Sequence, residues 1–405
     1  MERNKNEISV RQTALMSVTA GVCVANIYYN QPLLKDMADS FHTSERIIGN
    51  MAVLAQAGYG LGLFFLTPLG DKMNRRKLIL LLQWLLVLAL LGMTFSNNLH
   101  VTIAMSLLVG IFSVAAQVIL PMAAHLSPHN KGRTVGIIFM GILTGVLAAR
   151  VFSGFIAEWL SWRYVYGIAA AMVLATSVAL YRSLPDITAV FNGSYPDLLR
   201  STLKQLKRFP LLRQTAFLGA LMFGVFCSFW TTLTFYLSGT PFRYTTDQIG
   251  LFGVLAIFSA LLAPMFGKLA DQGDANRSRL LAVMLVIGAI VISYFYPDTL
   301  WTVVIAVLML DLGVQAVQVT NVAVIYTLDE TAHSRINTIY MTSYFLGGAV
   351  GTYSGLLFWQ WGKWNAVCLQ LLIFSIAGFI LLVINKASIS LSVKVKDIIL
   401  KPKTV

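Results

Sequence analysis

Charged residues are scarce in this sequence: they make up 12% of its 405 residues, against roughly 25% in an ordinary soluble domain. What remains is 57% hydrophobic, and the apolar residues come in long blocks rather than in alternation. That excludes a soluble globular chain and points to an integral membrane protein. Cysteine is nearly absent as well. Cys23, Cys227 and Cys368 all lie inside apolar stretches, with no metal-ligand spacing and no disulfide pattern, so they read as packing residues. The five histidines, His42, His100, His125, His129 and His333, fall at the ends of apolar runs or between them without ligand spacing. There is no Walker-type phosphate loop and no dinucleotide fingerprint. Metal chemistry, ATP drive and enzymatic catalysis therefore find no support, and no cofactor is expected.

Cations are the one excess, with a formal net charge of +13. Their placement argues against nucleic acid. About 24 of the 30 Lys and Arg fall in the N-terminal tail, every second loop and the C-terminal tail, as the positive-inside rule predicts. The opposite loops hold only Lys35, Arg46, Arg163, Arg243 and Lys363. Both termini are thus expected in the cytoplasm, with the lipid bilayer as the protein's surroundings. The first apolar run is followed by further spans, so it is expected to stay rather than to be cleaved.

A spanning helix needs about 20 mostly apolar residues, and the chain has room for about twelve. The expected division is a six-helix bundle over 1–181, a cytoplasmic connection over 182–213, a second six-helix bundle over 214–385 and a basic cytoplasmic tail over 386–405. In the connection, Leu198, Leu199, Thr202, Leu203 and Leu206 share one helix face, which predicts an amphipathic segment on the inner leaflet. The segment Leu66–Lys77 organises the first bundle: an apolar run ends at Pro68, Leu69, Gly70 and Asp71, and Arg75, Arg76 and Lys77 follow. The text recurs about 200 residues later, where Gly267, Leu269, Ala270 and Asp271 stand in place of Thr67, Leu69, Gly70 and Asp71. Two matching charged hairpins half a chain apart are the mark of a duplicated transporter. Asp71, Arg75, Arg76 and Asp271 are candidates for a cytoplasmic gate, with plain topology signalling as the other reading.

Charged side chains inside spans are costly, about 2.5–3.5 kcal/mol at the centre of an inserted helix, and mark function by default. Two stand out, Arg150 in the fifth span and Asp311 in the tenth. Counted from the outer ends of their spans at 1.5 Å per residue, they lie roughly 12 and 15 Å deep. They are expected to face one central cavity, paired directly or through a substrate or water, with Asp311 as the proton-responsive acid. A structural ion pair is the alternative. Asp311, Gln315 and Gln318 recur at i, i+4 and i+7 on one helix face, with Asn321 close to the same line. Thinner polar lines occur at Asn26, Tyr29 and Asn30 in the first span, Ser113 and Gln117 in the fourth, and Trp230 and Thr234 in the seventh. The candidate substrate contacts are Asn26, Tyr29, Asn30, Gln117, Arg150, Trp230, Thr234, Gln315 and Gln318, and interhelical hydrogen bonding is the competing account. Gly141 and Gly145 form a GxxxG in the fifth span, suited either to sliding between the two bundles or to static close packing.

The hairpin Thr67–Arg76, with its Asp and paired Arg, and the later GKLADQGD resemble the loop signature of the major facilitator superfamily. Thr67 and Asn74 replace that signature's two glycines. YNQPLLKD at the end of the first span and the glycine-rich fifth span look like the signatures of its bacterial twelve-span drug and sugar:proton antiporters, though Ala149 and Arg150 stand where that pattern has Gly-Pro, and Leu107 where it has an Arg. The resemblance implies an all-α membrane fold of two pseudo-symmetric six-helix bundles in a bacterial inner membrane. It implies a monomer that moves a small molecule by alternating access. Proton-coupled efflux of a drug- or sugar-like compound is the expectation; import of an organic anion is the alternative, and a receptor that moves nothing a remote one.

Overall fold

The computed structural model describes residues 8–127, 130–186, 193–269, 275–329 and 332–399, and within them every element is helical. The first span is broken in two. Helix α1 (Val10–Ala25) starts on a reciprocal cap, in which Ser9 accepts from the Gln12 amide and the Gln12 side chain accepts from the Ser9 amide. It ends before Asn26–Tyr29, and α2 (Asn30–Ser40) carries the chain on. Pro32, one turn past the break, has no amide hydrogen and would crowd the carbonyl of Tyr28 in a continuous helix. The Asn26 amide group donates to the Val22 and Cys23 carbonyls, at 2.7 and 3.1 Å, and so fills acceptors that the break exposes.

The chain continues through α3 (Glu45–Phe65), the short α4 (Leu69–Lys72), α5 (Arg75–Phe95), α6 (Leu99–Phe112), α7 (Ala115–Leu126), α8 (Lys131–Trp159) and α9 (Trp162–Ser183). After the connecting helix α10 (Tyr195–Arg208) come α11 (Pro210–Ser238), α12 (Thr246–Leu269), α13 (Ala275–Phe295), α14 (Leu300–Tyr326) and α15 (His333–Ile399). Helix α15 contains two spans, broken where Gly362 and Lys363 leave helical geometry and Lys363 takes φ +50°. Among the described residues nine helical stretches are long and apolar enough to cross a membrane, one of them the 52-residue His333–Ile384. With α1–α2 and α12 the chain makes about twelve spans in two bundles. Among the described spans helix α11 is the most enclosed, buried from Met222 to Leu237. Helix α5 turns Leu81, Trp84, Leu88, Leu91 and Phe95 outward, an unbroken stripe for lipid.

Glycine pairs bring spans together inside each bundle. Gly141 and Gly145 of α8 lie against Ser17 and Gly21 of α1, so closely that a Cβ would overlap backbone oxygen. Gly347 and Gly351 of α15 stand the same way against Ala220 and Gly224 of α11. The GxxxG of the fifth span is therefore packed within its own bundle, not between bundles. The close approach between bundles uses other glycines: a Cβ on Gly154 of α8 would be 2.7 Å from the Thr246 carbonyl, and one on Gly250 of α12 would be 2.7 Å from that of Arg150.

The bundles are tied at one end. At the end remote from the Asp71 hairpin, Thr246 at the start of α12 donates from its hydroxyl to Asp36 (2.7 Å) and from its amide to Glu158 (3.3 Å). On the other flank Glu45 accepts from Trp359 Nε1 (2.7 Å) and faces Lys363 (3.6 Å), and Arg46 donates to Gln360 (2.9 Å). The first bundle supplies three carboxylates and the second supplies their donors. At the hairpin end, among the described residues, the hydrogen bonds and ion pairs reaching across run through α10: Tyr195 donates to the Phe65 carbonyl at 2.6 Å and Arg208 pairs with Asp329 at 2.6 Å. Ser194 caps α10 and also hydrogen-bonds the Asp197 side chain, which holds that carboxyl below the usual range. Leu198, Thr202 and Gln205 of α10 are buried, and the helix packs on α15 and α11 while Leu203 stays exposed. The apolar face predicted for the leaflet is thus largely taken up by protein.

Replacing Asp36, Glu45 and Glu158 by their amides is expected to loosen the tied end. Each charge-assisted bond contributes about 1 kcal/mol, so the triple variant shifts the closed-to-open ratio more than about ten-fold. Spin labels at the exposed Leu160 and Tyr296 positions would register longer distances in the variant; an unchanged distance distribution would mean that apolar packing alone holds this end.

Candidate functional site

Arg150 and Asp311 are both enclosed, at 2% and 0% exposure. They do not form an ion pair. The indole of Trp230, on α11, stands between them. Its Nε1 donates to Asp311 Oδ1 at 2.9 Å, and the Arg150 guanidinium carbon lies 3.9 Å from its ring centre. Phe226, one turn earlier on α11, and Tyr28, in the break of the first span, flank the same guanidinium at 5.4 and 5.6 Å. Three aromatic faces thus take the place of water around the cation.

Gln31 fixes the guanidinium in this cage. Its Oε1 accepts from Arg150 Nε at 2.6 Å, while its main-chain carbonyl accepts from the Thr234 hydroxyl at 2.8 Å. One residue at the start of α2 therefore holds Arg150 from its own bundle and touches α11 of the other. The break ahead of Pro32 is what turns Gln31 and Tyr28 toward Arg150. Two strongly polar atoms are left over, Arg150 Nη2 and Asp311 Oδ2, each buried and without a hydrogen-bond partner. The site pairs an open donor with an open acceptor on either side of an indole.

Toward the hairpin end the site continues as aromatic wall. Tyr344 donates to Gln318 Oε1 at 3.0 Å and stacks on Phe223 with centroids 4.0 Å apart. Gln117 donates to the Tyr59 hydroxyl at 3.2 Å, and the Tyr59 ring lies 4.3 Å from that of Phe345 across the two bundles. Gln315 is half-buried on the same face of α14. Asn30 and Asn26 are both buried with Oδ1 unpartnered, and Asn26 gives its amide hydrogens to the carbonyls of its own helix. Of the adjacent tyrosines, Tyr28 meets Arg150, whereas Tyr29 packs on Phe152 at 5.7 Å.

The structure thus brings Arg150, Trp230, Thr234 and Asp311 together, places Gln117 and Gln318 in the adjoining wall, and puts Tyr29 and Asn26 elsewhere. Gln31, Tyr28, Tyr59, Phe223, Phe226, Tyr344 and Phe345 were not among the expected contacts. Tyr28 and Gln31 stand in the sequence beside the polar line of the first span, and Phe226 lies one turn from Trp230 on the same face; the others carried no readable signal.

The charged hairpin is closed upon its own bundle. Arg75 pairs with Asp71 at 2.9 Å and donates to the Gly70 and Pro121 carbonyls. Arg76 faces Asp186 at 3.4 Å and lies over the Tyr181 ring. Asp271 lies outside the described residues.

Comparison with known proteins completes this picture. The family model of the Major Facilitator Superfamily matches residues 16–352. The uncharacterized transporter YgaY of Escherichia coli O157:H7 is 38% identical over 370 residues, 91% of this chain and 94% of that protein. A probable sugar efflux transporter of Helicobacter pylori is 21% identical, over 88% of this chain and 89% of its own. Among solved structures, a bacterial homolog of the human lysosomal transporter Spinster superposes with a TM-score of 0.69 at 15% identity, covering 95% of this chain and 96% of that one. A POT family transporter bound to a thioalcohol-conjugated peptide gives 0.74 at 12% identity, over 93% and 96%. The chain belongs to the Major Facilitator Superfamily: it is a multi-pass membrane transporter and not an enzyme.

Proposed function

We propose that this superfamily member is a proton-coupled exporter of small drug- or sugar-like molecules, working by alternating access in a bacterial inner membrane with both termini in the cytoplasm. The observation that carries the reading is the pair of open atoms flanking Trp230. A hydroxyl of the substrate can donate to Asp311 Oδ2 and accept from Arg150 Nη2, with its apolar face on the indole. A proton on Asp311 removes the acceptor that the substrate needs. Proton and substrate then compete for one oxygen, and that competition is the basis of antiport. Since the two bundles meet across Gln31, Thr234, Arg150 and Trp230, occupancy of the site bears directly on their contact. The bundles are joined at the end remote from the hairpin, which corresponds to a central site closed on the outside.

A second reading rests on the cage around Arg150. An anionic substrate would take Nη2 directly, and protonation of Asp311 would then strengthen its binding instead of opposing it. Proton and anion would travel together, as in import.

Proton movement in inverted membrane vesicles separates the two. With an acidic lumen established, sugars, amphipathic cations and organic anions are added outside in turn. Antiport raises the lumenal pH when the right class is added; cotransport of an anion lowers it. Arg150→Ala is expected to reduce the response at least ten-fold in either case, because it removes the guanidinium and empties the aromatic cage. Labelled solute crossing with no pH change of either sign would refute proton coupling.

A further inference from the structure

The interior holds a second arginine that the central site does not use. Arg279, near the start of α13, reads in the sequence as one of the orienting basic residues of the second hairpin. In the structure it is buried, at 6% exposure. Its Nε and Nη2 are both enclosed and have no hydrogen-bond partner. The equivalent cations of the first hairpin are provided for, Arg75 by Asp71 and Arg76 by Asp186. Arg150 has Gln31 and three rings. Among the described residues Arg279 has neither a paired carboxylate nor a ring over it; its titratable neighbour there is the Tyr340 hydroxyl of α15.

The surroundings are polar and gathered from four helices. Asn321 of α14 donates both to the Tyr340 hydroxyl and to the Thr215 carbonyl of α11, each at 3.4 Å. Ser278, next to Arg279, shares a hydrogen bond with Thr320 at 3.0 Å, which sets α13 against α14. Gly219 leaves room for the Tyr340 ring, since a Cβ there would be 2.8 Å from it. Thr215 Oγ1 and Asn321 Oδ1 are buried and unpartnered too. The Thr215 hydroxyl and the guanidinium are free to donate, and Asn321 Oδ1 is free to accept from a protonated oxygen.

A lone buried guanidinium gives up its hydration without a compensating ion pair or hydrogen bond. Nε and Nη2 together form the edge of the guanidinium that accepts two oxygens of one carboxylate or phosphate side by side. We propose that Arg279, with Tyr340, Asn321 and Thr215, is an oxyanion-binding site distinct from the central one. Its ligand is the carboxylate or phosphate group of a small solute, or the phosphate of an anionic lipid headgroup. The site stands apart from the coupling reading above, because it shares no residue with Arg150, Trp230 and Asp311.

The three buried cysteines provide the readout: a thiol-reactive fluorogenic dye reports their exposure on thermal unfolding. Protein in phosphatidylcholine nanodiscs is titrated with acetate and with inorganic phosphate, at ionic strength held constant with a bulky sulfonate buffer. A parallel set contains phosphatidylglycerol. A ligand bound to the native state alone raises the midpoint as its concentration passes the dissociation constant. The expected result is a rise of several degrees with at least one oxyanion or with the anionic lipid, kept in Arg150→Gln and absent in Arg279→Gln. Arg279→Gln should itself fold, since it removes an uncompensated buried charge, and Arg279→Lys should keep a weakened shift. A rise with free anion identifies a solute site; a rise with phosphatidylglycerol alone identifies a headgroup. No rise in wild type under any arm, or an equal rise in Arg279→Gln, overturns the proposal. Because no flux is measured, this outcome is independent of whether the protein proves to be proton-coupled.

Discussion

Asp311→Asn is expected to abolish proton-coupled movement while leaving a folded protein. The amide keeps an oxygen where Oδ1 accepts from Trp230 Nε1 at 2.9 Å, so the position of the indole is retained. It loses the charge and the capacity to exchange a proton. Under antiport the variant resembles a permanently protonated site. Active efflux should fall by at least a hundred-fold and the lumenal pH response should vanish. Exchange of labelled substrate down its gradient should fall with it, because the amide, like a protonated carboxyl, lacks the acceptor that the substrate hydroxyl needs at the Oδ2 position. Asp311→Glu is the companion: it retains the proton but pushes a longer carboxylate into a fully enclosed space, and partial coupling should survive. Both variants should unfold within a few degrees of wild type in the same cysteine-exposure assay. Full coupling in Asp311→Asn would reduce Asp311 to a hydrogen-bond acceptor for Trp230, and the antiport reading would go with it.

The largest effect on stability is expected at the glycine contacts inside the bundles. Gly351→Val puts a branched side chain where the Gly224 backbone lies, and Gly145→Val does the same against Gly21. Neither contact has a flexible side chain that can move aside. Forcing two helices apart in a packed interior costs ~3 kcal/mol or more, and in a membrane the lost backbone contact is itself the main source of helix association. Each variant should lower the unfolding midpoint markedly. Gly132→Val and Gly136→Val are the controls, since nothing lies within 4 Å of a Cβ at either position; both should be near neutral. The same substitution at four glycines of one chain should thus split into two classes. Near-equal midpoints for all four would show that the glycine contacts do not organise the bundles.

Much of the molecule was legible from the order of residues. Helix in lipid is imposed, because every backbone polar group must be satisfied within its own segment, so runs of about 20 apolar residues announce the spans without knowledge of their neighbours. The cost of burying a charge singles out Arg150 and Asp311 for the same one-dimensional reason. The repeated hairpin announces the duplication, whereas the first span reads as one continuous run and its break at Asn26–Tyr29 came only with the structure.

Partner choice was not legible. Trp230 and Asp311 are 81 residues apart, and Arg150 and Gln31 are 119 apart. Which side chains meet over such separations depends on the rotation of each helix about its axis and on the depth at which two helices cross, and hydropathy specifies neither. Arg150 and Asp311, placed at similar depth by counting, were expected to meet directly or through a ligand, and an indole came between them. Tyr28 and Tyr29 are adjacent, and only the turn of the chain at the broken span decides that Tyr28 faces the arginine. Gly141 and Gly145 read equally well as a sliding or a static contact until α1 was found against them. Arg279 has the composition of a topology signal and the surroundings of a buried site, a distinction that exists only once α11, α14 and α15 close around it. By itself, then, the order of residues determined that this is a duplicated membrane protein of about twelve spans with two costly buried charges, since those properties follow from transfer of each residue between water and lipid. The tertiary structure alone decided which groups those charges face and which polar atoms they leave open, because these are set by packing between distant segments.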